Sequence, residues 1–259
     1  MSGAELSTSG LSSVVRGSGP ALLLVHGAGG SVVSNYGPVL APLTKKFTVI
    51  APDLPGSGAS PRSTTPLDLD DLADRVVACA VDAGHETFAL SGFSMGTAIA
   101  VRAAVRHPDR VTRLVLTAAF PTLDEPSRAK IDRWHDLFDR PRDELARYVL
   151  KLMVSPDYLD RLSTEQFEGF AELIAASVPP GAADHIELLL RVDVTADLRR
   201  ISVPTLVIGP KYDQLLSPGL AREVADLVPD AKFADIPCGH ATALEKAAVW
   251  AALITEFLT

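Results

Sequence analysis

The stretch Gly92-Phe93-Ser94-Met95-Gly96 carries the residue best placed for chemistry. It follows the apolar run 87–90 and precedes Thr97-Ala98-Ile99-Ala100-Val101, a good helix opening. Strand, tight turn and helix put Ser94 at the apex of a strained turn, and the flanking glycines let the helix pack straight back on the strand. A serine hydroxyl attacks only when a base takes its proton, and that base must be oriented by a third group, usually a carboxylate. Of the six histidines, His240 fits best, in the loop Pro237-Cys238-Gly239-His240 between a strand and the C-terminal helix. His107 is expected to end a helix and His85 to sit in a polar turn. Asp213 is the expected acid, reached from the strand 205–208 through Gly209-Pro210-Lys211-Tyr212. Asp235 falls inside a strand pattern and Asp197 opens an exposed turn, while Asp124 is a fallback acid.

Acyl chemistry also needs two donors aimed at the developing oxyanion, and backbone amides are the usual source. The amide of Met95 lies at the start of the helix after Ser94. The loop His26-Gly27-Ala28-Gly29-Gly30 leaves a strand end with glycines that allow close backbone approach, and Ala28 is the expected second donor. The loop has neither the Lys-Ser/Thr ending nor the glycine spacing of a nucleotide site. Cys238, beside His240, reads as a small loop residue, and no His or Cys spacing suits a metal.

These residues need a scaffold of alternating strands and helices. Residues 21–25 are an unbroken apolar run suited to a strand covered on both faces, 47–51 are the next buried strand, and 111–119 and 205–208, both strongly apolar, and 231–236 are further strands. Residues 11–16 suit a short edge strand. Helices are expected over 34–44, 65–84 and 244–258. The alternation predicts an α/β protein with a mostly parallel central sheet and helices on both faces. Residues 121–196 break it. There Ser127 is expected to cap a helix with the stripe Ile131, Trp134 and Phe138, and Pro141 to open one carrying Leu145, Tyr148, Val149, Leu152 and Met153. Ser163 and Gln166 form a capping-box pattern ahead of Phe167, Phe170 and Ile174, and a fourth helix is expected over 182–191.

At 259 residues the chain can bury one large core, and its 47% hydrophobic and 22% charged residues are ordinary for a globular protein. A formal charge of −8 works against nucleic acid or anionic membrane as partners, which leaves a small-molecule substrate. Two cysteines and a start, residues 1–10, without a basic or apolar export pattern make a reducing cytoplasm the expectation.

In its motifs the chain resembles the α/β-hydrolase fold superfamily, of the capped, cofactor-independent kind. The resemblance runs nearly end to end. His26-Gly27, the D-x-P-G-x-G-x-S stretch from Asp53 to Ser60, the elbow, His107-Pro108, Val203-Pro204-Thr205 and Gly239-His240 occur in the family's order. Ser94, Asp213 and His240 match the family's triad order, and the residues after the HG pair and after the nucleophile, Ala28 and Met95, match its oxyanion donors. The resemblance implies a core of residues 1–120 and 197–259, an inserted helical cap of 121–196, and no cofactor. Two departures stand out: the acid loop Lys211-Tyr212-Asp213-Gln214-Leu215-Leu216, and a short segment before the first buried strand. The implied activity is cleavage of a small, largely apolar carboxylic ester, lactone or thioester through an acyl-enzyme on Ser94. Alternatives are a carbon-carbon bond hydrolase, and a cyclase or lyase using His240 as acid and base; a receptor-like binding module is a third. Trp134, Phe138 and Phe167 are the expected substrate-binding residues of the cap. His135 and His185 stay open between contact with a substrate oxygen and a place at the solvent edge.

Overall fold

Strands with two apolar faces must be covered on both sides, and the chain meets that need by crossing the sheet repeatedly with helices. The computed structural model describes residues 9–259, so most of the segment read for an export pattern lies outside the described residues. The order is β1 (Ser13–Gly17), β2 (Ala21–Val25), α1 (Val32–Leu43), β3 (Thr48–Pro52), α2 (Leu69–Asp82), β4 (Phe88–Phe93), α3 (Met95–Arg106) and β5 (Val111–Thr117). After a helical stretch the sheet resumes with β6 (Thr205–Pro210) and β7 (Lys232–Ile236). The seven strands lie in the order β1-β3-β2-β4-β5-β6-β7, with β1 antiparallel to β3 and every other pairing parallel. The short opening segment thus supplies one antiparallel edge strand.

Alternation along β2 shows how the two faces are filled. Leu23 and Val25 join the core under α2 and α3, while Leu22 and Leu24 face the opposite layer with Tyr36 of α1 and Trp250. Trp250 belongs to the C-terminal helix, Thr242–Leu258, and stacks on Tyr36 with ring centroids 5.1 Å apart. Chain order reverses between β2 and β4. Loops at that switch point open at the C-terminal ends of the strands, where α/β sheets hold ligands.

Residues 121–196 contain α4 (Glu125–Asp136), a 3-10 turn (Leu137–Asp139), α5 (Arg142–Met153), α6 (Pro156–Asp160), α7 (Thr164–Ser177), α8 (Ala182–Leu189) and the start of α9 (Thr195–Leu198). Among the described residues they hold no strand, only an isolated bridge from Thr122 to Asp193. α10 (Gly219–Leu227) and α11 (Thr242–Leu258) complete the chain. No described helix is long and apolar enough to cross a membrane.

Several local readings need correction. α4 is capped by Asp124, whose side chain accepts from Ser127 N at 3.0 Å, because Ser127 Oγ is fully buried and accepts from Ser217 N instead. Asp197 is not in an exposed turn: it lies in α9, 8% exposed, and its carboxylate holds the Arg102 and Arg200 guanidinium groups. α2 begins at Leu69, since Asp68 accepts from the amides of Asp70 and Asp71 and so ends the extended stretch before it. That cap generates a first prediction. Asp68→Ala should lower the unfolding free energy by about 1 kcal/mol, the usual worth of an N-cap, and leave turnover intact. Urea denaturation checks it; an unchanged midpoint means that water serves those amides as well as Asp68 does.

Candidate active site

β4 runs into α3 through Ser94, whose φ of 53° and ψ of −126° put it in a region that side chains other than glycine rarely occupy. Close packing holds it there. A Cβ on Gly96 would stand 2.2 Å from Val25 O, and one on Gly92 would stand 2.4 Å from Gly96 O, so α3 starts in direct backbone contact with the end of β2. No side chain fits at either position.

Ser94 Oγ lies 3.0 Å from His240 Nε2, and His240 Nδ1 lies 2.7 Å from Asp213 Oδ2. A carboxylate only accepts, so Nδ1 carries the proton and Nε2 is free to accept from the serine hydroxyl. All three side chains are buried, with 4%, 2% and 5% of Ser94, His240 and Asp213 exposed. Asp213 Oδ1 accepts from the amides of Leu215 and Leu216 at 2.8 and 3.0 Å, which gives the unusual acid loop its function as a carboxylate cradle. Beyond the strand ends, Lys211 N donates to Ile236 O and Tyr212 N to Cys238 O, tying the acid loop to the His240 loop. Cys238 is buried and burial pushes its thiol up to about 12, so it is no nucleophile at neutral pH. The other candidates stand elsewhere. His107 ends α3 and contacts Asp74 at 2.7 Å, Asp235 lies in β7, and Asp124 caps α4.

The loop after β2 is held from several sides. His26 is fully buried; its Nδ1–H donates to Gly27 O and its Nε2 accepts from Leu54 N, both at 2.8 Å. Gly27 N donates to Asn35 Oδ1 at 2.8 Å, Gly29 N to His185 Nδ1 at 3.3 Å, and Ser57 Oγ to Gly30 O at 2.7 Å. Among the described residues the amides of Ala28 and Met95 donate to no protein group, so both are available to a ligand. Ala28 and Ser94 border one small chamber of about 30 Å³, close to the volume of one water. Ala28, Asn35, Trp134 and Met153 line both this chamber and a larger cavity of about 300 Å³. That cavity is walled mainly by apolar residues of α5 and α7, with no Asp, Glu, Lys, Arg or His among its lining residues. No group of three His, Cys, Asp or Glu among the described residues is placed to hold a metal.

Of the three aromatic residues expected at the substrate, only Trp134 borders either space. Its indole lies against Gly29, and Nε1 is buried without a hydrogen-bond partner among the described residues. Phe138 falls outside α4, in the 3-10 turn, and borders a separate small cavity with Leu137 and Arg142. Phe167 packs on Ala146, Leu150 and Val154 without reaching the large cavity, and Phe170, one turn on in the same stripe, packs on that cluster and borders the cavity as well. His135 is half-exposed, 3.7 Å from Glu187. His185 is neither at the solvent edge nor in either cavity: it is wholly buried between Gly29 and Pro55. Sequence reasoning passed over Asn35, for which periodicity gives no signal, whereas Met153, read on the stripe of the Pro141 helix, does border both spaces.

A parallel sheet with this order, a buried Ser-His-Asp relay on a strained elbow and free amides beside it define a hydrolase of the α/β type. The chain belongs to the alpha/beta hydrolase fold family, whose pattern it matches over residues 20–247. It is 34% identical over 249 residues to the pyrrolizixenacetamide deacetylase of Xenorhabdus hominickii, covering 94% of this chain and 92% of that one. With the 2-hydroxymuconate semialdehyde hydrolase of Pseudomonas sp. (strain CF600) it shares 32% identity, covering 93% of this chain and 88% of that protein. The solved structure of a thermophilic esterase from Thermogutta terrifontis superposes with a TM-score of 0.82 at 26% identity, covering 96% of this chain and 92% of that one.

The two histidines held neutral in this site make stability depend on pH. Burial lowers both His26 and His185 to about 4 from an ordinary value of 6.5. Below 6.5 the unfolded chain takes up protons that the folded chain refuses, so stability falls as pH drops through that window and levels off near 4. Each imidazole accounts for up to about 3 kcal/mol. Urea unfolding at about pH 7 and about pH 4.5 should show a large loss at the lower pH, and equal stability at both would contradict neutral buried imidazoles.

Proposed function

We propose that the chain is a serine hydrolase that cleaves an uncharged, largely apolar ester, lactone or thioester through an acyl-enzyme on Ser94. The buried hydrogen-bonded relay from Asp213 through His240 to Ser94 carries the reading. His240 Nε2 takes the proton as Oγ bonds to the carbonyl carbon, and the oxyanion is held by the amides of Ala28 and Met95. The imidazolium, steadied by Asp213, then protonates the leaving group. Water then attacks the acyl carbon, giving a proton to the same nitrogen, and the imidazolium returns that proton to Ser94 Oγ as the C–Oγ bond breaks and the acid leaves. The helical residues 121–196 act in this reading as a cap, and the substrate is a small molecule met in the cytoplasm.

The volumes on the two sides of Trp134 and Met153 support a lopsided substrate, with a bulky apolar part in the 300 Å³ cavity and a small group by Ser94 in the 30 Å³ chamber. The names of two similar proteins, a deacetylase and an esterase, fit that chemistry. Carbon-carbon cleavage of an acidic substrate, as the name of the semialdehyde hydrolase suggests for that protein, fits less well, since no cationic side chain lines the cavity to meet a carboxylate.

Ser94→Ala, His240→Ala and Asp213→Asn should each lower kcat by about 10⁴-fold or more, and combining them should cost little extra because the three act as one unit. Labelling by a fluorophosphonate should vanish in Ser94→Ala. Near wild-type turnover in Asp213→Asn would overturn the acid, and in Ser94→Ala the acyl-enzyme itself.

Aryl acetates should be preferred over matched esters that carry a carboxylate on the bulky side, by at least about tenfold in kcat/KM, since a buried unpaired charge costs several kcal/mol. Trp134→Ala should change kcat/KM unequally across the panel. A uniform change, or preference for the charged ester, removes the cavity as the specificity element.

A further inference from the structure

His185 is a wholly buried titratable group that the reaction above leaves without a task. It comes from α8, in the helical residues 121–196, yet both its ring nitrogens bond to loops of the sheet. Nε2 lies 2.9 Å from Pro55 O, and a carbonyl only accepts, so Nε2 carries the proton. Burial keeps the ring neutral, which leaves Nδ1 bare to accept from Gly29 N at 3.3 Å. His26 beside it, with ring centroids 6.1 Å apart, has the opposite tautomer, with the proton on Nδ1 facing Gly27 O.

The start of α8 is seated on the same loop without any side chain between. Gly181 N donates to Gly56 O at 3.1 Å, and a Cβ on Gly181 would stand 2.4 Å from Pro55 O. Asp184 then grips Arg62 with two bonds of 2.7 and 2.8 Å. The Ala28 amide therefore lies between two fixed neighbours. Gly27 N is held by Asn35, from α1 of the core, and Gly29 N by His185, from α8. Gly29, at φ +65°, has no conformational preference of its own that would hold the peptide in place.

We propose that His185 is a positioning residue that fixes the oxyanion loop from the cap, so that the Ala28 amide is aimed correctly only while α8 is seated on residues 55–56. This rests on the reading of Ala28 as an oxyanion donor. A mere filler of buried hydrogen bonds would contribute to stability alone. A positioning residue also sets kcat, because a donor displaced by a fraction of an ångström loses its advantage in the transition state.

Two substitutions separate the bonds. His185→Asn keeps an acceptor at the Nδ1 position for Gly29 and loses the Pro55 bond; His185→Gln keeps a donor at the Nε2 position for Pro55 and loses the Gly29 acceptor. On an aryl acetate, His185→Gln should lower kcat by about tenfold or more with KM within about threefold, while His185→Asn stays within about threefold in both. Equal losses in the two variants, or wild-type kcat in His185→Gln, overturn the proposal. Should either variant fail to fold, the wild-type protein decides through the ¹⁵N shifts of the His185 ring and the Gly29 amide. The expected pattern is protonated Nε2 and bare Nδ1, with both the Gly29 amide and Nδ1 moving when an aryl boronic acid forms its adduct on Ser94. A protonated Nδ1, or no movement on adduct formation, overturns it. Fluorophosphonate labelling and turnover of the wild type and Ser94→Ala, run alongside, keep a failure of the serine-hydrolase reading distinct from a failure of this one.

Discussion

The contact between the first turn of α3 and the end of β2 is the constraint on which the rest depends. With Gly96 set against Val25 O, the chain has no room for a relaxed turn, and Ser94 is held at positive φ with its hydroxyl outward. The same contact fixes where β2 ends, and so where residues 26–31 leave the sheet. Strain at the elbow costs of order 1–3 kcal/mol and persists because the buried β2–β4–β5 ladder on both sides leaves no alternative path. Ser94, the amide that follows it and the loop carrying Ala28 are therefore placed by one packing contact.

The helical residues 121–196 also reach the loops around Ser94 through hydrogen bonds from two sides. On one side His185 reaches Gly29. On the other, Glu245 accepts from Gly239 N, Ser155 N and Ser155 Oγ, and Ala241 N donates to Met153 O at 2.6 Å, so the loop of His240 is bonded to the end of α5. Gly239 has no Cβ for a plain reason: it would meet Ser155 N at 2.3 Å. Elements that wall the large cavity are thus bonded to both the loop of His240 and the loop of residues 26–30.

Much of this was legible in the sequence where short-range rules apply. The elbow, the parallel strands and the Ser163 and Gln166 capping box are local patterns, and the structure contains each of them. The sequence also pointed to Ser94, Asp213 and His240, which the fold brings into one hydrogen-bonded chain although they lie far apart in sequence. What escaped depends on facts that periodicity does not carry. Phe138 and Phe167 have the right residue type, but the 3-10 turn after α4 shifts the phase of one, and the other stands one turn of α7 short of the cavity that Phe170 and Ile174 border. Ser127 and Asp124 are both good caps, and only the partner Ser217, remote in sequence, decides between them. His185 carries no local signal, since its two partners come from loops on the other side of the chain's long helical excursion.

Cys238 illustrates how burial next to a reactive centre can protect as well as activate. Its thiol stands two residues from the base, but with its pKa near 12 almost none of it is thiolate at neutral pH. Peroxides and alkylating agents attack the thiolate, so this sulfur offers them no foothold, and the climb to sulfenic and sulfinic acid is closed at its first rung.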